Sequence, residues 1–403
     1  MSRGDTYTRW GVVASGEGGN RVAAELLGRS ENPGIADRVA LLNTNRADVR
    51  NTVEQSDVDG DLDEHVTIFG DKRGVGNEFL EGERQTEAHI EQIASNVEEN
   101  MINGDALLYL TTVGGGTGNG SVPYLVREFE AGETIDPTNY GPWIDDAVHI
   151  ALGIWPYYNE PAQRQFNAMC GLSRLLLTRD GRQNADMVLL VSNSHVDDSG
   201  DGRRGTYDRV NERIVEAMDL MIGAGREAQA VIDVEDYVAQ PSAIGAYHFT
   251  PAVATELNGQ MLEYELMFDK AADNAFVPMD VSSARAAFAI VRVPDRMLER
   301  GDVTGAQIER AFNDWKRDNG IGGAVGMTTV TETERRGNDV DVLLLLGGFD
   351  LNPLLDHARD DFEMHKQNLA TTRQFGDADA GISQRHLEDI ERNLEEYVEA
   401  NAR

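Results

Sequence analysis

The stretch Thr111-Thr-Val-Gly-Gly-Gly-Thr-Gly-Asn-Gly120 decides the reading of this chain. It follows the apolar run Ala106-Leu-Leu-Tyr-Leu110 and precedes Ser121-Val-Pro-Tyr-Leu-Val-Arg-Glu-Phe129. The order predicts strand, glycine loop and helix, with Pro123 in the first helical turn, where a missing N–H costs nothing. Glycine tolerates positive φ and leaves N–H groups bare, and the helix turns its positive end to the same point. Phosphate is the expected guest. A tight connection alone would give the same pattern, and no Gly-Lys-Ser/Thr follows as a P-loop requires.

Working outward, 403 residues suggest two or three domains with substantial cores. No apolar run is long enough to span a bilayer, and Met1-Ser-Arg-Gly-Asp5 lacks the apolar segment of a signal peptide, so a cytoplasmic protein is expected. The single Cys170 excludes an internal disulfide framework and reads as a buried small hydrophobe. The net charge of −34 is spread along the chain, and lysine occurs only at positions 72, 270, 316 and 366. Such a surface repels nucleic acid and anionic membranes, and neither is an expected partner. The acidity also predicts a halophilic protein, whose self-repulsion concentrated salt would screen.

Trp10-Gly-Val-Val-Ala14 reads as the first strand, Ser15 to Asn20 as a second glycine turn and Arg21 to Leu27 as a helix. A Rossmann dinucleotide fold is the rival. However, Gly16-Glu-Gly-Gly19 lacks Gly-x-Gly-x-x-Gly spacing, and Arg38-Val-Ala-Leu-Leu42 ends in Asn43-Thr-Asn45 without the acid that grips a ribose.

Gly114-Gly-Gly-Thr-Gly-Asn-Gly120 resembles the signature of the tubulin/FtsZ family, with Asn119 where Ser or Thr is usual. Three further loops match in family order. Gly16, Glu17, Gly18, Gly19 and Asn20 are similar to the first nucleotide loop, and Asn43 and Asn45 to the second. Arg73-Gly-Val-Gly-Asn77, with Gly74 and Gly76, is similar to the third, which in that family lies near the γ-phosphate. The resemblance implies nucleotide contacts from these residues and from Gly114, Gly115, Gly116, Thr117, Gly118 and Asn119. Trp155-Pro-Tyr-Tyr-Asn-Glu160 with Gln163-Arg164 resembles the segment where Glu contacts the ribose and Arg lies beside the nucleotide, implying those roles for Glu160 and Arg164.

Met187 to Val191 reads as a strand ending in Ser192-Asn193, and Asn193 matches a family nucleotide contact. Thr206 to Ile222 reads as a long helix capped by Thr206. Tyr207 and Asn211 share one of its faces. In tubulins a Tyr-x-x-x-Asn pair stacks on guanine and bonds its Watson–Crick edge, so GTP is expected over ATP. After that helix, Asp233 and Asp236 resemble the acids that reach the next subunit's nucleotide, with Val231 replacing the family's Asn. By that resemblance they are the catalytic pair, positioning water opposite a γ-phosphate neutralised by Mg²⁺. No metal-ligand set from the protein alone is expected.

The remaining expectations concern layout. Residues 80–103 read as one polar helix with a solvated face, and His149 as a structural histidine in the strand Val148 to Ile154. Strands are expected over 242–249, 285–293, 325–330 and 340–346, with a helix over 307–318. Helices over 349–366 and 383–402, joined by a 376–381 linker, should pack on the body through Leu387, Ile390, Leu394 and Tyr397. The resemblance implies an α/β fold of four parts. These are a GTPase domain with a parallel sheet (1–205), a central helix (206–228), a smaller α/β domain on a separate sheet (229–350) and an acidic helical extension (351–403).

The implied function is a GTP/GDP-binding, GTP-hydrolysing cytoskeletal protein. It would assemble head-to-tail into filaments with other copies, and with other tubulin-like, division or cell-shape proteins. Ala14, Asn119, Val231 and the modified third loop motivate an alternative, a non-polymerising guanine-nucleotide regulator. A nicotinamide-dependent oxidoreductase is disfavoured by the missing ribose acid.

Overall fold

The computed structural model describes residues 8–28, 35, 38–55, 65–71, 73–101, 104–131, 143–177, 183–197, 206–224, 232–256, 263–334, 337–375 and 381–402. Val231 and the 376–380 part of the expected linker lie outside the described residues.

The first half alternates strands with helices. It runs β1 (Trp10–Ser15), α1 (Gly16–Gly28), β2 (Val39–Asn43), α2 (Arg46–Gln55), β3 (Val66–Ile68), α3 (Phe79–Ala88), α4 (Ile90–Met101), β4 (Ala106–Thr112), α5 (Thr117–Ala131), α6 (Trp143–Asp146), β5 (Val148–Trp155), α7 (Ala162–Leu176), β6 (Met187–Ser192) and α8 (Asn193–Val196). The long helix α9 (Thr206–Gly223) leads to α10 (Val234–Ala243), β7 (His248–Glu256), α11 (Tyr264–Ala272), β8 (Ala286–Pro294), α12 (Asp295–Glu299), α13 (Gly305–Asp318), β9 (Thr328–Thr333) and β10 (Val340–Gly347). Helices α14 (Asn352–Phe375) and α15 (Gln384–Asn401) complete the order.

One ten-stranded sheet runs β3-β2-β1-β4-β5-β6-β7-β10-β8-β9. The first six strands are parallel, and β4, β5 and β6 are near-continuous apolar runs because helices cover both faces. The expected separate second sheet is therefore corrected. β7 joins β6 through Val188–His248 and Leu189–Phe249, a short parallel pairing that makes the two halves one sheet. In the second half β10 lies antiparallel between β7 and β8.

Helix α9 buries Ile214, Val215, Met218 and Met221 in the same core as strand residues from both halves, as a central helix must. It is also tied to the second half by charge. Arg292 on β8 reaches Asp219 on α9 at 2.6 Å and Asp341 on β10 at 2.9 Å, largely out of solvent. On the opposite side α14 and α15 pack against α7, with Leu387, Ile390, Leu394 and Tyr397 buried as expected. Ser173 of α7 donates to the Ile390 carbonyl at 3.0 Å. Among the described residues no helix is long and apolar enough to cross a membrane.

Several boundaries differ from the sequence reading. Residues 16–20 are already the first turn of α1. Helix α5 starts at Thr117, so Pro123 lies inside it rather than in its first turn. The expected single helix over 80–103 breaks at His89, where α3 caps and α4 begins; Phe79, Ile93, Val97 and Met101 form its buried side. The 242–249 strand is displaced, because α10 continues to Ala243 and β7 starts at His248. His149 is the structural residue expected, wholly buried, with Tyr109 Oη 2.9 Å from Nδ1 and the Ile144 carbonyl 3.1 Å from Nε2.

Candidate nucleotide site

A cavity of about 500 Å³ opens at the carboxyl ends of the parallel strands, where ligands bind in open α/β sheets. The sheet order sets the sequence of its wall: Asn193 after β6, Glu160 after β5, residues 114–118 after β4, 16–18 after β1, Asn43 and Asn45 after β2, and the 73–77 loop after β3. Tyr207 and Asn211 on the first turns of α9 close the β6 end. Six connections separated in the chain by up to 177 residues, from Gly16 to Asn193, therefore meet at one cavity.

Two features of the wall suit an anion. Helices α1 and α5 both begin at the cavity, at Gly16 and Thr117, and present N-terminal N–H groups there. Gly16 has φ +77, a left-handed conformation that favours glycine, and a Cβ at Gly118 would stand 2.5 Å from the Ser15 carbonyl oxygen. Glycine here brings bare backbone to the cavity and lets the two loops touch.

The polar side chains are held from behind. Asn43 is almost fully buried, and its Oδ1 accepts the Asn45 N–H at 3.0 Å. Its Nδ2, also buried, has no partner, a donor whose cost falls when an acceptor enters. Glu160 accepts the Tyr157 N–H at 2.8 Å through Oε1 and Arg164 Nη1 at 2.7 Å through Oε2. The Tyr207 ring is 40% exposed, one of three large apolar side chains so open among the described residues. Tyr157 and Tyr207 meet edge to face, 5.1 Å between centroids at 83°, with Tyr207 on the cavity wall. Burial, and then the nearby Glu160 charge, push the Tyr207 phenol up to about 12.

Gly16, Glu17, Gly18, Asn43, Asn45, Gly74, Gly76, Gly114, Gly115, Gly116, Thr117, Gly118, Glu160, Arg164, Asn193, Tyr207 and Asn211 all line the cavity. Gly19, Asn20 and Asn119 are not among the lining residues, and each is engaged in packing next to them. A Cβ on Gly19 would lie 2.3 Å from the Leu110 carbonyl oxygen, so this glycine lets α1 press on β4. Asn20 donates to Leu42 O at 3.2 Å, and buried Asn119 donates to Asn167 O at 2.8 Å. Asp233 and Asp236, expected to reach the next copy's nucleotide, lie away from this chain's own cavity. They sit past the far end of α9, which at 18 residues is about 27 Å long. There they form the reciprocal N-cap of α10, with both backbone-to-carboxylate bonds at 3.1 Å.

Sequence reasoning missed Arg21, Asp48 and Tyr157. Arg21 lies on the wall and pairs with Glu17 at 2.7 Å. Asp48 accepts Asn45 Nδ2 at 2.8 Å, and burial, then Glu17's charge, raise its carboxyl above the usual range. The Asn45-x-x-Asp48 spacing at the start of α2 was a legible helix-start signal for it.

No protein-family profile matches the chain. Over 228 residues it is 25% identical to the tubulin-like protein CetZ2 of Haloferax volcanii, a stretch covering 55% of each protein. The chain thus spans about half the length of the curated relatives it matches. Among solved structures, a GTPγS-bound protofilament of H. volcanii CetZ2 superposes with a TM-score of 0.70 at 20% identity, over 89% of this chain and 99% of that one. An empty FtsZ dimer from M. jannaschii gives 0.63 at 18% identity, over 85% and 89%. The fold is that of the CetZ and FtsZ structures. In sequence, the chain is similar to CetZ tubulin-like proteins.

Proposed function

We propose that this chain binds GTP and its product GDP in the cavity, assembles head-to-tail with other copies in the cytoplasm, and hydrolyses GTP at the contact between them. The observation that carries the reading is the half-exposed face of Tyr207, set beside the Asn193 and Asn211 amides at one end of a glycine-walled cavity. A purine stacks on the ring. An amide offers both an acceptor for guanine N1–H and N2–H2 and a donor for O6. The glycine loops then take the phosphates, and Asn43 Nδ2 gains its acceptor.

A divalent cation carried with the nucleotide fits the acidic part of the wall. Glu17 and Asp48 both line the cavity there, and the Asp48 carboxyl is raised first by burial and then by the neighbouring Glu17 charge. Mg²⁺ would supply neutralisation of the phosphate oxygens. Asp233 and Asp236 carry the hydrolytic role in this reading, reaching the next copy's phosphates from beyond α9. Their reciprocal cap fixes the backbone and carboxylates at the start of α10, which suits orienting a water. Asn119 donates a buried hydrogen bond to the Asn167 carbonyl, which supports a packing role for this departure from the family's Ser or Thr.

The test is GTP hydrolysis and sedimentation measured together in molar KCl for wild type and Asp236→Ala. Wild type should sediment with GTP, and the variant should assemble while hydrolysis falls roughly 100-fold. Wild type that binds GTP without sedimenting at any concentration would establish the regulator reading, and normal hydrolysis in the variant would remove Asp236 from the mechanism.

A further inference from the structure

Asn167 on α7 lies behind the cavity wall, 2% exposed, and its side-chain Nδ2 faces three backbone carbonyl oxygens. It donates to Asn77 O at 2.8 Å, Gly114 O at 3.2 Å and Gly115 O at 3.4 Å. The first belongs to the loop after β3 and the other two to the glycine loop after β4. Resting on the guanine-nucleotide reading, we propose that Asn167 is a positioning residue for the terminal phosphate, clipping the 73–77 loop onto the glycine loop.

The junction is tight and strained. Asn77 is the one non-glycine residue at positive φ (66°) among those described, and Gly76 before it is at 59°. A consecutive left-handed pair is costly unless its surroundings hold it. The Asn167 amide holds the carbonyl of that residue. From the other side, a Cβ on Gly116 would stand 2.8 Å from Asn77 Cα, so the two loops touch backbone to backbone. Carbonyl oxygens repel a polyphosphate. Drawing three of them to one buried amide keeps them turned into the protein, while the N–H groups of Glu78 and Gly115 close turns onto the Val75 and Thr112 carbonyls.

The sheet order says which phosphate this serves. With the base on Tyr207 at the β6 end, a nucleotide runs past the loops after β5, β4 and β1. It reaches the loop after the outermost strand, β3, last. A diphosphate rests on the glycine loop and α5; only a triphosphate needs the 73–77 loop docked.

The experiment is calorimetry of GTPγS and GDP binding, in molar KCl with Mg²⁺, on wild type, Asn167→Ala and Asn167→Leu. The second variant is nearly isosteric, removes the amide donor while keeping the packing of α7, and covers the case in which the first fails to fold. Each folded variant should lose GTPγS affinity by roughly five- to thirtyfold while GDP affinity stays within about twofold. Equal losses for the two nucleotides, or no loss, would overturn the assignment and leave the guanine-nucleotide reading standing. Wild type that binds neither nucleotide would overturn that reading and the assignment together.

Discussion

Arg174 Nη1 donates to the carbonyl oxygen of Asn119 at 2.9 Å, the carbonyl that Pro123, four residues on and without an N–H, leaves unpaired inside α5. The same guanidinium holds Glu83 on α3 at 2.7 Å and lies over the Phe79 ring. A proline in the helix that carries the glycine loop is thus repaired by a neighbouring helix. Arg174→Met should lower stability by roughly 2–4 kcal/mol, because it strands both a buried carbonyl and the Glu83 carboxylate. In a Pro123→Ala background the loss should be smaller, which a double-mutant cycle of urea midpoints would read.

Tyr207 lines the cavity with its ring, and its hydroxyl makes only a long 3.5 Å hydrogen bond to Glu160 Oε1. Tyr207→Ala should weaken GTP binding roughly ten- to hundredfold, whereas Tyr207→Phe should stay near wild type. Asn211→Ala should erode the preference for GTP over ATP rather than overall affinity. Titration calorimetry with both nucleotides separates these outcomes.

His248 sits where β7 meets β6, wholly buried, with Tyr397 Oη 2.8 Å from Nδ1 and Phe349 O 2.8 Å from Nε2. Burial drives its imidazole down to about 4. The unfolded chain therefore takes up this proton near pH 6.5 and the folded chain only near 4. Stability from this group is complete above 6.5, falls as pH drops through that window and levels off below it, a change of about 3 kcal/mol. Denaturation midpoints between pH 7 and 4 should show the slope, and His248→Gln should flatten its part of it.

Cys170 is fully buried on α7, and burial pushes its thiol well above the ordinary range. Ellman's reagent should leave the native protein unmodified over hours and titrate one thiol after unfolding. Rapid native labelling would contradict the packing described for α7.

A net charge of −34 should make stability depend on salt. Thermal midpoints followed by circular dichroism are expected to rise steadily from dilute buffer to molar KCl. A midpoint independent of salt would remove the halophilic reading.

Much of this molecule was legible along the chain. The glycine loops, the apolar strands before them and the pairing of Tyr207 with Asn211 on one helix face are local patterns, set by backbone freedom and by periods of two or 3.6 residues. Seventeen of the twenty residues expected around a nucleotide do line one cavity. For Asn119 the sequence left open which way the side chain turns, since its hydrogen-bond partner, the Asn167 carbonyl, lies 48 positions on.

What the sequence by itself determined, then, is where bare backbone and helix starts occur, because neighbouring residues suffice to create them. The tertiary structure alone decided which side of each loop faces the cavity, that the two halves share a sheet across β6 and β7, and that Arg174, Tyr157 and Asn167 serve the wall from behind. Those outcomes depend on contacts between residues tens of positions apart, whose geometry exists only once the helices have packed.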